Sequence, residues 1–217
     1  MNTSKKISIR SAKSEDASSL AQIILMAGRA HVKQGIWEVI LGGTEEECLA
    51  FLQLIAVTKI PHLFHYSCYL VAEVGGAAAG GLGGYDPRYL GYQRLRKAIL
   101  EVVQKSGQRR IDPEAEKRSA RISGCISDAM EGAWVIDSVA TFPQFRRQGI
   151  ASMLLEKILK KGRKLGFHRA QINMYIGNTP AQRVYEKLGF RVVEEKRDPT
   201  FESEIGSPGM LSLICNL

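Results

Sequence analysis

From Arg146 to Ser152 the chain reads Arg-Arg-Gln-Gly-Ile-Ala-Ser, directly after one expected strand and at the head of an expected helix. The first turn of a helix leaves backbone N–H groups without intrahelical partners. The helix dipole adds positive potential at the same end. Small residues at Gly149 and Ala151 would let a diphosphate approach that backbone closely, between two arginines. Such a turn is an anion cradle built from main-chain amides. The basic run continues to Arg169, with eight basic residues against one acid, Glu156. The plainer reading of the run is a solvated helix face. A second feature is Asp137, a carboxylate among Trp134, Val135, Ile136 and Val139. Burying a charge in such a strand is costly and needs a reason.

The elements that must position these residues are legible from periodicity. Trp134 to Thr141 reads as a strand that ends before Pro143. Ile150, Leu154, Leu155, Ile158 and Leu159 then make one apolar stripe of a helix from Gly149 to about Leu165, with Gly166 as its stop. Ala170 to Ile176 is the next strand. Thr179, Pro180 and Gln182 read as N-cap, first-turn proline and box partner of a helix that ends at Gly189. Phe190 to Val193 and Met210 to Cys215 close the set as strands.

Towards the N-terminus, Ile7 to Arg10 is a short strand and Ser14 opens a helix. Thr44 and Glu47 form a capping box for a second helix. Tyr66 to Val74 and Ala77 to Leu82 pair as a hairpin around Gly75-Gly76. The glycines here do not complete a phosphate-binding loop, since neither G-x-x-x-x-G-K-[ST] nor G-x-G-x-x-G is present. Residues 86 to 131 are richer in charge and fit two helices, near Tyr89 to Lys105 and near Pro113 to Ala129, with Ser106-Gly107 between them. Leu95, Ile99, Val102 and Val103 recur at helical spacing, so that stripe is expected to be buried, either as a lid on the parent fold or as a homodimer contact.

The chain has 217 residues, 45% of them hydrophobic and 24% charged, which fits one globular domain over 1–217 with a helical insertion at 86–131. No apolar run approaches the ~20 residues that cross a bilayer, so no membrane is expected. The net charge of +8 favours anionic partners. Cys48, Cys68, Cys125 and Cys215 form no C-x-x-C pair, and His62 and His65 have no carboxylate near them in sequence, so no metal is expected. Met1 to Ile9 lacks the apolar core of a signal peptide, and reduced thiols suit a cytoplasmic location.

The segment Asn178-Thr179-Pro180-Ala181-Gln182-Arg183-Val184-Tyr185-Glu186-Lys187-Leu188-Gly189-Phe190 completes the pattern. Together with Arg146, Gly149 and Ala151, it resembles the GNAT superfamily, the Gcn5-related N-acetyltransferases. The first segment resembles the acetyl-CoA motif [Q/R]-x-x-G-x-[G/A], and the second resembles the Asn…Ala…Tyr-Glu-Lys-Leu-Gly-Phe ending. Ile9-Arg10, Ala12 and Asp16 resemble the family's opening. The likeness runs from Ile7 to about Val193, apart from 86–131.

That resemblance implies an α/β (α+β) GNAT fold: a mixed, mostly antiparallel sheet of about seven strands flanked by helices. Its fourth and fifth strands splay apart around the pantetheine arm of acetyl-CoA. Here the implied contacts are Val139, Ala140 and Thr141 along the arm. Arg146, Arg147, Gln148, Gly149, Ile150, Ala151 and Ser152 would surround the diphosphate. Asn178, Ala181 and Tyr185 would also contact the cofactor.

The implied reaction is direct attack of a primary amine on the thioester in a ternary complex. Tyr185 would be the general acid at the departing sulfur, with a core aromatic as the alternative. Asn178 would bond the cofactor arm or a water, with a loop-capping amide as the alternative. Some family members carry a glutamate five residues before the Asn, where this chain has Asn173. Asp137 is therefore the candidate base, ahead of Glu73 and a water chain, and a salt bridge is its alternative. The acceptor is an amine on a small molecule, protein or peptide, on a side that Trp37, Tyr66, Tyr85 and Asp137 could line. A silent acyl-CoA-binding or sensing protein is the second reading. A nucleic-acid module is disfavoured because the basic run lacks interleaved aromatics.

Overall fold

The computed structural model describes residues 6–105 and 113–217. The strands are β1 (Ile7–Ser11), β2 (Tyr69–Val74), β3 (Ala77–Tyr85), β4 (Ala133–Thr141), β5 (Arg169–Tyr175), β6 (Arg191–Arg197) and β7 (Gly209–Asn216). The α-helices are α1 (Ala17–Arg29), α2 (Ile36–Leu41), α3 (Glu45–Ile55), α4 (Pro87–Leu90), α5 (Tyr92–Lys105), α6 (Pro113–Ser123), α7 (Ile150–Lys164), α8 (Thr179–Lys187) and α9 (Pro199–Ile205). One seven-stranded sheet has the order β1-β2-β3-β4-β5-β7-β6. Among the described residues only the β4–β5 pair is parallel, and α7 is its crossover.

The parallel pair is short. Its register runs Ala133 to Ile136 against Arg169 to Ile172 and then stops. Beyond it, β4 keeps pairing with β3 as far as Thr141 against Gly80, and β5 keeps pairing with β7 as far as Tyr175 against Met210. The two central strands therefore part after Ile136 and Ile172. The expected splay is present, at the expected strands.

A bulge sits at the same place. Ser138 has φ +53°, a left-handed conformation rare for a side-chain-bearing residue, and the β3–β4 register slips between Gly81 and Gly83. Side chains in a strand alternate between faces. Val135 lies in the core under α1, α3 and α5, and Trp134 and Ile136 lie in the core under α7 and α8. Regular alternation would put Val139 with Val135, but Val139 packs on the α7 side and Ala140 on the α1 side. The bulge has reversed the phase of the strand.

Local signals explain most elements. Gly75 and Gly76 have φ +61° and +82°, the pair of left-handed residues that a tight hairpin turn needs. The Thr44 capping box forms, with Glu47 N–H donating to Thr44 Oγ1 at 3.2 Å and Thr44 N–H to Glu47 Oε2 at 2.8 Å. Other expectations need correction. The cap of α8 is Asn178, not Thr179: its Oδ1 accepts from Ala181 N–H at 3.4 Å. Ser14 opens only a 3-10 turn before α1. Gly91 separates α4 from α5. The helix begun at Pro113 stops at Ser123, before Gly124, so Cys125–Gly132 is a connecting segment without helix or strand. α2 and α9 were not expected. Asp198 accepts from Phe201 N–H at 2.9 Å and Pro199 starts α9, a signal that the sequence does carry.

The stripe on α5 faces inward. Leu95 and Val102 join the core of α1 and α3, Val103 is buried, and Ile99 packs against the same core. The stripe thus packs on the parent fold, the first of the two expected arrangements. The Ser106-Gly107 connection lies outside the described residues. All four cysteines are free and buried. Among the described residues no helix is long and apolar enough to cross a membrane, and no group of three metal-ligating side chains forms.

Candidate functional site

The turn into α7 is shaped to hold an anion. Arg147 has φ +63° and Gly149 φ +76°, so alternate residues turn their amides inward before the helix starts. Met153 N–H returns to Gly149 O at 3.1 Å, the first hydrogen bond of the helix. The amides of Ile150, Ala151 and Ser152 precede it, and no side chain caps them. By contrast, α3, α8 and α9 each have a side-chain cap. Arg146, Arg147, Gln148 and Gly149 are exposed around this open end. Among the described residues these amides have no protein partner, so an anionic group fits where a cap would otherwise sit.

The splay leads from this turn into the sheet. Phe142 N–H bonds to Ala79 O at 2.9 Å across β3. The backbone of Thr141, one residue earlier, therefore faces the other way, into the gap, and so does that of Val139. Arg146 Nε donates to Thr141 O at 3.3 Å, which ties the anion turn to this strand end. The Thr141 hydroxyl is buried without a partner among the described residues. A chain of amides, such as pantetheine, would find the unpaired edge of β4 here, so the residues present fit acetyl-CoA.

Tyr185 and Asp137 approach the gap from opposite faces. Tyr185 belongs to the core under α7 and α8, 6.0 Å centroid to centroid from Phe190. Its hydroxyl makes no hydrogen bond among the described residues. Burial raises its pKa above the ordinary phenol value, and the Asp137 charge raises it further, so the phenol stays protonated at neutral pH. Asp137 is on the other face, half-buried. Its carboxylate accepts from Ser138 Oγ at 2.9 Å and has no ion pair among the described residues, so a salt bridge does not account for it. Burial raises its pKa above the ordinary carboxylate range, and the Ser138 contact only partly opposes this.

Beside Asp137 lies a cavity of about 360 Å³. Tyr85, Tyr92, Asp128, Glu131 and Asn173 line it with Asp137. Of the residues expected on this side, Tyr85 and Asp137 are here. Trp37 instead packs edge-on to Phe64 at 5.0 Å in the core, and Tyr66 packs against His65. Glu73 is on β2, bound to Arg10 at 2.8 Å, and lies outside the cavity wall. Asn173 holds the roof: its Nδ2 donates to Ser127 O at 3.4 Å. Asn178 is half-buried with its carbonyl on the cap of α8, which leaves its amide NH₂ for a ligand. A larger open concavity of about 590 Å³ lies against α1 and α3, apolar apart from Ser14, Glu15 and Gln53, with no group suited to acyl transfer.

The sequence reading missed Tyr92, Asp128, Glu131 and Gln171. Three of these were hidden by the extension of α6 through Ala129 or by the charge of the surrounding segment. Gly124 and Gly132 were the signals for a loop there.

Residues 44–190 match the model of the Acetyltransferase (GNAT) family. Among solved structures, a crystal structure of an acetyltransferase superposes with TM-score 0.70 at 20% identity, covering 96% of this chain and 98% of that one. An N-acetyltransferase from Staphylococcus aureus Mu50 gives TM-score 0.65 at 20% identity, over 95% and 99%. The structure of yncA from Salmonella typhimurium with its cofactor acetyl-CoA gives TM-score 0.53 at 16% identity, over 98% and 94%. No curated protein matches the chain. At these identities the structures speak to the fold, whereas the family model spans most of the chain. With that match over the same segments that build the anion turn, the splay and α8, the chain belongs to the GNAT acetyltransferase family.

Proposed function

We propose that the protein is an N-acetyltransferase that moves an acetyl group from acetyl-CoA to a primary amine by direct attack in a ternary complex. The observation that carries this is a protonated phenol and a half-buried carboxylate on opposite faces of the sheet, at the gap where β4 and β5 part. Bound acetyl-CoA supplies the thioester carbonyl that the amine attacks. The chain's residues supply the rest. The amides of residues 147 to 152 hold the diphosphate, with Arg146 and Arg147 beside it. The backbone of Val139 and Thr141 aligns the arm, and Ala181 and the Asn178 amide flank it near α8.

An amine is protonated at neutral pH and must lose a proton before it attacks. Asp137 takes that proton. Burial raises its pKa, which makes it a stronger base than an exposed carboxylate. Tyr185 gives a proton to the departing sulfur from the other face. A phenol of raised pKa holds its proton until the leaving thiolate demands it. A cytoplasmic setting, where acetyl-CoA and reduced thiols coexist, agrees with four unpaired cysteines.

The experiment is thiol release from acetyl-CoA over a panel of amines, with N-acetylated product identified by mass. Amine-dependent release supports the reading. Tight acetyl-CoA binding with no release above the protein-free rate would instead support an acyl-CoA-binding protein.

A further inference from the structure

The cavity beside Asp137 has a charge that the rest of the chain does not share. The chain carries +8 overall, yet Asp128, Glu131 and Asp137 all line this one concavity. Among the described residues none of the three has a cationic partner. Arg88, the one base in the wall among the described residues, is tied to Asp86 through Nη2–Oδ2 at 2.7 Å and Nε–Oδ1 at 3.0 Å. The roof segment is fixed through its backbone rather than its carboxylates. Met130 N–H donates to Gln171 Oε1 at 2.6 Å, and Gln171 Nε2 donates to Asp128 O at 3.0 Å. Asn173 holds Ser127 O in the same way. The Asp128 and Glu131 side chains are left uncommitted and exposed.

Tyr85 is the independent observation. It is 4% exposed, lines the cavity, and its hydroxyl has no hydrogen-bond partner among the described residues. That leaves its oxygen open to a ligand in the cavity. A phenol oxygen accepts from an ammonium group. Tyr92 lines the same wall as Asp128, Glu131 and Asp137.

We propose that this cavity selects a small dicationic amine, with the reacting amine at Asp137 and Tyr85 and the second cation at Asp128 and Glu131. This rests on the acetyl-transfer reading of Asp137 given above. A chain with a single amine leaves two carboxylates unpaired, and an amino acid brings a carboxylate into an acidic wall. The cavity discriminates against both.

The test is calorimetric titration of the full chain, loaded with CoA, with linear α,ω-diamines of three to six carbons. The n-alkylamines of the same lengths and 4-aminobutanoate are the comparators. The best diamine should bind about tenfold tighter than its monoamine, the size of one charge-assisted contact. Asp128→Asn with Glu131→Gln should reduce that preference to within about twofold, with CoA affinity as the check on folding. Equal affinity of diamine and monoamine in the unaltered protein overturns the inference, whether or not the double variant folds. So does a preference that survives the double variant, or tighter binding of 4-aminobutanoate. The two readings fail separately. Diamine preference without acetylated product sinks the enzyme reading alone, and acetylation of both amine types at equal affinity sinks this one alone.

Discussion

Ser138 Oγ donates to Asp137 Oδ1 at 2.9 Å although the two residues are consecutive in a strand. Neighbours in a regular strand point to opposite faces and cannot meet in this way. They meet here because Ser138 takes φ +53° and bulges β4. The same bulge turns the following residues over and coincides with the end of β4–β5 pairing. One irregularity thus orients the carboxylate and opens the gap that it serves.

Asp137→Asn should lower turnover by about a hundredfold or more, since the base is lost while the amide can still accept from Ser138. The same change should raise stability at pH 7. A carboxylate whose pKa is raised in the folded state weakens folding once it ionises. That penalty is full above the folded pKa and vanishes as pH falls below the unfolded value. The gain in melting temperature should therefore be present at pH 7 and absent near pH 3. An unchanged melting temperature at both pH values would show that the carboxylate is not desolvated.

Tyr185→Phe should lower kcat by about 10²–10⁴-fold and leave acetyl-CoA affinity within about twofold, because only the proton donor is removed. Phe keeps the ring that packs near Phe190. Equal kcat in the two forms would make Tyr185 a packing residue.

Gly149→Val should weaken acetyl-CoA binding by about tenfold or more through the backbone. A Cβ added at Gly149 meets no atom of the described residues within 4 Å, but φ is +76°, where a β-branched residue is strained. The turn would relax and scatter the amides that hold the diphosphate. Calorimetry with CoA decides, and an unchanged Kd contradicts the cradle.

His62 should make the fold acid-sensitive. It is fully buried, with Nδ1 accepting from Phe64 N–H at 3.1 Å, so Nε2 carries the proton and donates towards Ile55 O and Thr58 Oγ1. Burial lowers its pKa to about 4. The unfolded chain takes up a proton below about pH 6.5 and the folded chain does not, so stability falls as pH drops from there towards 4. The loss between pH 7 and pH 5 should be roughly 2 kcal/mol by urea unfolding. An NMR titration showing His62 protonated at pH 6 in the folded protein would contradict this.

Much of this architecture was readable in advance because its signals are local. Gly75-Gly76, Thr44 with Glu47, and the stripe of α7 each fix one element from a few neighbouring residues. The anion turn was legible for the same reason, as a glycine and two arginines at a strand–helix junction. The cavity was not. Its wall joins β3, α5, β4, β5 and the segment before β4, and it depends on Gln171 and Asn173 reaching across to hold a roof that sequence periodicity extends as helix. Nor does any residue type announce the left-handed Ser138. Asn173 was read only as a base that is missing, whereas its amide is a roof support.

The most direct test of the account is the initial-velocity pattern of acetyl transfer, with acetyl-CoA and an accepted amine varied together and thiol release as the readout. Direct attack in a ternary complex predicts intersecting double-reciprocal lines and one N-acetylated product per thiol. Parallel lines, or thiol release that does not depend on the amine, would contradict it.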